Sequence, residues 1–167
     1  MALIVENGSG VAGADSYISL ADARAILTPL GQDLNAVDAT AEIQLRKSVV
    51  WLESFWARFI GRKTLEGNPL QWPRIDVVIY GFHKDSDFIP DELKKAQVYA
   101  AYELEQGGDL QENTTGESTK REKVDVIETE FFNTGSGSSL SVFTRVNEVL
   151  SPLLNNSGLF NIRGQRG

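Results

Sequence analysis

The stretch Thr40 to Gly61, TAEIQLRKSVVWLESFWARFIG, limits the possible folds of this chain more than any other segment. Leu45, Val49, Leu52, Trp56 and Phe59 follow at intervals of four, three, four and three, which places them on one helical face. Thr40 stands where an N-cap belongs, Glu42 falls in the first turn, and Gly61 takes the place of a left-handed C-cap residue. Such a helix is about 30 Å long. Val50, Trp51, Phe55 and Ile60 widen the apolar stripe beyond one seam. It must therefore be covered on more than one side, by its own domain or by a neighbouring chain.

At 167 residues the chain fits one domain, and 41% hydrophobic residues are enough to build a core. Cysteine is absent, which excludes a disulfide framework, a thiolate nucleophile and a thiolate metal site. The opening MALIVENGSG has neither a basic region nor a long apolar run, so no signal peptide is expected. No stretch reaches 18 apolar residues, so no membrane span is expected either. The net charge is −7, and the modest basic cluster is Lys120, Arg121 and Lys123. That balance predicts at most weak DNA binding, because gripping phosphates takes a basic excess or stripe.

Residues 1–18 read as an arm. Gly8, Gly10 and Gly13 spell GxGxxG after the apolar run Ala2–Val5, a spacing shared with the dinucleotide fingerprint. In that fingerprint a helix opens within the glycines and faces the pyrophosphate. Here Ala14-Asp15-Ser16-Tyr17 intervenes before the first helix signal at Ser19, so the run reads as a glycine-bearing arm with no cofactor. Replacing Gly10 with Ala is accordingly expected to leave the fold intact.

Ser19 and Asp22 form a capping-box pattern ahead of LADARAIL, which ends at Pro29 and Gly31. Trp72 precedes Pro73 and is therefore pushed to extended geometry, its ring pinned against the local core or another chain. Arg74 can stack on an aromatic ring or pair with a carboxylate. Ile75 to Tyr80 reads as a short extended run. His83 is the sole histidine, which excludes a histidine metal triad, and it reads as a surface residue. Asp85, Asp87, Asp91 and Glu92 lack calcium-loop spacing, and Asp87, Asp91 and Glu92 suit a helix start, so no metal site is expected. Pro90 opens the next helix, whose apolar face is Leu93, Ala96, Ala100 and Leu104, closed by Gly107.

Residues 107–140 form a loop and strand excursion. Val124 and Val126, with Ile127 on the other face, mark a strand that has no obvious partner in the chain. The last helix runs from Ser141 to Leu154 with Phe143, Val146, Leu150 and Leu153 on one face, and Pro152 marks its last turn. Residues 155–167 are a C-terminal arm whose Leu159, Phe160 and Ile162 stand on a polar background, with Arg163 following.

Several segments taken in order resemble one family. VENGSGVAGADSYISLADA, the GRK of residues 61–63, QWPR, Ile89-Pro90 with LKKA, KVDVIETEF, SPLL and Arg163-Gly164 resemble the phage proteins labelled DnaT-like. The helix pattern is in turn similar to head–tail connector (adaptor) proteins of tailed phages. That second resemblance implies a mainly α, four-helix connector-type domain over 1–167, with one or two short β-strands and extended N- and C-terminal arms. It implies a non-enzymatic virion protein of the neck, assembled in the host cytoplasm. It would be a homo-oligomer, a dodecameric ring under the portal protein, meeting a tail or nozzle protein. Double-stranded DNA would pass through the channel without specific binding, repelled by about −84 of summed charge. Trp72, Arg74, Val124, Val126, Ile127, Leu159, Phe160, Ile162 and Arg163 are then the expected intersubunit or portal contacts. The alternative is a single-stranded DNA-binding replication protein. It is ranked second because the chain is acidic and its aromatics read as lying on helix faces.

Overall fold

A computed structural model of the chain describes residues 2–108 and 144–155, together with the backbone of 122–124 and 127–129. Among these residues lie four α-helices: α1 (Leu20–Leu27), α2 (Asp38–Glu53), α3 (Asp91–Glu105) and α4 (Thr144–Leu150). Between them run short antiparallel ladders that pair β1 (Arg62–Lys63) with β2 (Arg74–Ile75), and β3 (Val78–Ile79) with β4 (Phe82–His83). A third ladder pairs β5 (Glu122–Val124) with β6 (Ile127–Thr129). The chain is thus mixed α and β, not a four-helix connector. No helix among the described residues is long and apolar enough to cross a membrane.

Helix α1 begins as its sequence dictates. The Ser19 hydroxyl accepts the Asp22 N–H at 3.1 Å and donates to the Asp22 carboxylate at 2.6 Å. Pro29 and Gly31 close the segment, Gly31 at φ +67° with its N–H on the Thr28 carbonyl. The centre of the fold is α3, against which α1, α2 and α4 all pack. Its small residues allow that close approach. Ala96 and Ala100 meet Val49, Leu52, Val146, Leu150 and Leu153 in one apolar cluster. Val98 and Ala101 meet Ile18, Leu27, Leu34 and Leu45 in a second. Pro90 lies just before α3, with Asp91 and Glu92 in its first turn.

Helix α2 starts at Asp38 and stops at Glu53, eight residues short of the expected Gly61. The following backbone finds tertiary partners that outcompete further helical turns. The Ile60 N–H donates to the Leu153 carbonyl at 2.9 Å and the Asn155 N–H to the Arg58 carbonyl at 2.6 Å. Arg74 Nε and Nη2 donate to the carbonyls of Ile60 and Gly61 at 2.8 and 2.9 Å. Phe59 is buried as expected, but Trp56, expected on the same face, is 62% exposed.

The first 18 residues are not a free arm. Glu6 donates its N–H to the Ser16 carbonyl, Asp15 donates to Ile4, and Tyr17 is buried. Gln97 of α3 ties this segment down, accepting the Tyr17 N–H at 2.9 Å and donating to Ser16 Oγ at 2.7 Å. The strand expected to lack a partner is a hairpin, with Val124 opposite Ile127.

Candidate nucleic-acid interface

Residues 75–84 form the most exposed aromatic feature among the described residues. Tyr80 and Gly81 have φ of +53° and +82°, the pattern of a two-residue hairpin turn whose twist matches the flanking strands. Val78 lies opposite His83 and Ile79 opposite Phe82, and the Lys84 N–H continues the ladder to the Val77 carbonyl at 3.0 Å. Val77 and Ile79 are buried and anchor the hairpin, whereas Tyr80 and Phe82 are each 70% exposed. Two large rings held on a short, anchored hairpin offer flat apolar faces to water, the geometry on which unpaired bases stack.

Cations lie around the hairpin base. A Cβ on Gly61, at φ +68°, would strike the Ile75 carbonyl and the Val77 side chain, so the chain after α2 presses directly against β2 and the residue that precedes β3. Arg62 follows and pairs with Asp76 at 2.9 Å, both residues being largely in solvent. Lys84 Nζ lies 5.0 Å from the Phe88 ring, and His83 is exposed beside it.

A part-buried polar cluster fixes the QWPR segment. Glu53, the last residue of α2, accepts the Tyr17 hydroxyl at 2.5 Å and the Gln71 N–H at 2.9 Å. The Tyr17 oxygen in turn accepts the Trp72 N–H at 3.2 Å. Burial raises the Glu53 carboxyl above its ordinary range, although both hydrogen bonds oppose the shift. Burial, and then the Glu53 charge, pushes Tyr17 well above the usual phenol range, which keeps it a neutral donor. Burial lowers the Arg74 guanidinium. The Trp72 ring is fully buried, edge-on to Phe59 at 5.9 Å, and the Trp72–Pro73 peptide bond is cis.

The glycine loop is already occupied by the chain itself. Glu6 is buried, and its Oε1 accepts the N–H groups of Gly8 and Gly10 at 2.8 and 3.0 Å. Its Oε2 accepts the Val11 N–H at 2.9 Å. The amides that a phosphate would use in a dinucleotide site thus face an internal carboxylate. Among the described residues no group of three or more His, Cys, Asp or Glu side chains is placed to hold a metal ion.

Of the nine residues expected at an intersubunit or portal contact, four fall within the described residues. Trp72 and Arg74 are buried within the chain, where Trp72 packs on Phe59 and Arg74 holds two carbonyls. Val124 and Ile127 pair with each other across the β5–β6 hairpin. Val126, Leu159, Phe160, Ile162 and Arg163 lie outside the described residues. Of the residues that do form a coherent surface, Tyr80 was read as the end of an extended run and Phe82 was given no role. The Tyr80-Gly81 pair between Val78-Ile79 and Phe82 was the available signal.

A family model described as "Putative DnaT-like ssDNA binding protein" matches residues 1–167. No curated protein and no solved structure matches the chain. The family match supports the DnaT-like resemblance and overturns the connector reading, with its ring, its portal and tail partners and its channel of unbound duplex. The ranking by net charge failed for a physical reason. A net charge averages over the whole surface, whereas stacking depends on where a few rings stand.

Proposed function

This chain belongs to the DnaT-like ssDNA binding protein family, and on that premise we propose that it binds single-stranded DNA through the Tyr80–Phe82 hairpin. The observation that carries the reading is the pair of rings at 70% exposure on a hairpin whose Val77 and Ile79 are buried. Bases stack on such rings with little regard to sequence, at roughly 1–3 kcal/mol per base. Arg62, His83 and Lys84 stand close enough in the chain to meet the flanking phosphates. Arg62 already shares its charge with Asp76, so the electrostatic part is small and stacking dominates.

The test is fluorescence anisotropy of a labelled oligothymidylate titrated with the protein at about 50 mM salt. Saturable binding that weakens on replacing Tyr80 and Phe82 with Ala supports the reading. A flat titration with the wild-type protein at that salt overturns it. An unpaired strand should bind better than the same sequence in a duplex, because paired bases cannot offer their faces to the rings.

A further inference from the structure

We infer that Trp56 is a second base-stacking subsite on the same single strand, reached across Arg58 and Arg62 from the Tyr80–Phe82 hairpin. The inference rests on the hairpin reading and extends it. Trp56 is 62% exposed even though the helical pattern puts it on a buried face. Its exposure follows from the early stop of α2. The Trp56 N–H turns back to the Glu53 carbonyl at 3.2 Å and the Arg58 N–H to the Phe55 carbonyl at 2.8 Å. That turn presents Trp56, Ala57 and Arg58 to solvent in succession.

Two further observations point to a nucleic-acid strand as the occupant. From Ser54 to Lys63 the chain carries Arg58, Arg62 and Lys63 and no acidic residue, against a net charge of −7 for the whole. Arg62 is paired with Asp76, which leaves exposed Arg58, two residues from the unburied indole, as the cation beside it in sequence, the combination that single-strand binders use. The same segment is also joined to the hairpin base. Gly61 abuts Val77 at the hairpin base, and five residues of chain place Trp56 no more than about 18 Å from Gly61. A strand that stacks on Phe82 therefore reaches Trp56 within the span of roughly 4–16 nucleotides that a single-strand site covers.

The experiment compares oligothymidylates of about 4 and about 16 nucleotides on wild-type protein, Trp56→Ala and Trp56→Phe. Anisotropy is read alongside tryptophan emission. Wild-type protein should bind the longer oligomer more tightly than the count of registers explains, with quenching of the exposed indole; Trp72 is buried and Trp51 half-buried. Trp56→Ala should lose about fivefold or more in affinity for the longer oligomer, and Trp56→Phe should keep most of it. If Trp56→Ala binds both lengths as wild type does, Trp56 is not a subsite and the hairpin reading stands. If wild-type protein binds neither length, both readings fall.

Discussion

The Tyr17 hydroxyl donates to the Glu53 carboxylate at 2.5 Å across 36 residues of sequence. That bond joins the N-terminal segment to the end of α2, and Gln71 completes it by donating its N–H to the other carboxylate oxygen at 2.9 Å. Glu53 is the point where helix, N-terminal segment and QWPR loop meet.

Stability should carry a signature of Glu53 in its pH dependence. Burial raises the folded-state pKa of this carboxyl above its unfolded value, so the native protein holds the proton more tightly than the unfolded chain. The Glu53 contribution is therefore complete below the unfolded pKa and is lost as pH rises through the folded one. Glu53→Gln cannot titrate. Urea unfolding of both proteins from acid to neutral pH should show wild type losing ground to Glu53→Gln as pH rises through that window. A difference that stays constant with pH would mean that the carboxyl is not perturbed as described.

The hairpin rings should matter for binding and little for folding. Tyr80→Ala with Phe82→Ala is expected to cost at least about 2 kcal/mol of single-strand affinity, near thirtyfold in Kd. Unfolding midpoints should barely move, because both rings are in solvent. With only two or three cations at hand, log K should fall with log salt at a slope on the order of −2. A much steeper slope would point to a basic site elsewhere on the protein.

The glycine loop should be intolerant of side chains, contrary to what an arm would show. Gly8 and Gly10 sit at φ +103° and +78°, and a Cβ on Gly8 would collide with the Asp87 backbone carbonyl. At Gly10 the added carbon meets the Asn68 side-chain oxygen at 2.5 Å, the end of a side chain and not backbone. Gly8→Ala is expected to cost about 3 kcal/mol and Gly10→Ala about 1–2 kcal/mol. Gly31→Ala serves as the control, also at positive φ but with open space around it; it should lose about 1 kcal/mol. Calorimetric midpoints in the opposite order would contradict this description of the loop.

Glu6 should be needed as an acceptor and not as a charge in general. In Glu6→Gln an amide nitrogen replaces one acceptor oxygen and leaves at least one inward-facing N–H opposite a donor. The expected loss is about 2 kcal/mol, and Glu6→Ala, which orphans the N–H groups of Gly8, Gly10 and Val11, should lose more. Equal denaturant midpoints for wild type and Glu6→Gln would show that the loop does not depend on these bonds.

Local chemistry was legible where local chemistry decides. Ser19 and Asp22 cap α1 as their spacing implies, Gly31 closes its segment, and the apolar positions Leu45, Val49, Leu52, Val146, Leu150 and Leu153 are buried. What escaped depends on partners distant in sequence. Helical periodicity continues through Trp56, and only the bonds from Leu153, Asn155 and Arg74 reveal that the helix has already ended. Trp72 reads equally well as a core or an interface ring until Phe59 is seen against it. The candidate site was missed by the same route, since aromatics assigned to a buried stripe and an extended run stand in solvent.

The contacts of Gln97 also imply an order of events during folding. Its amide joins Ser16, Tyr17 and the Leu45 carbonyl, so the N-terminal segment has nothing to dock on until α2 and α3 lie side by side. The Glu6 loop, by contrast, closes over two to five residues and can form while the remainder is still a coil. Amide exchange reports how stably each contact is held, which is separate from that order. The Tyr17 N–H should exchange only through global unfolding, and the Gly8 and Gly10 N–H groups through a smaller, local opening.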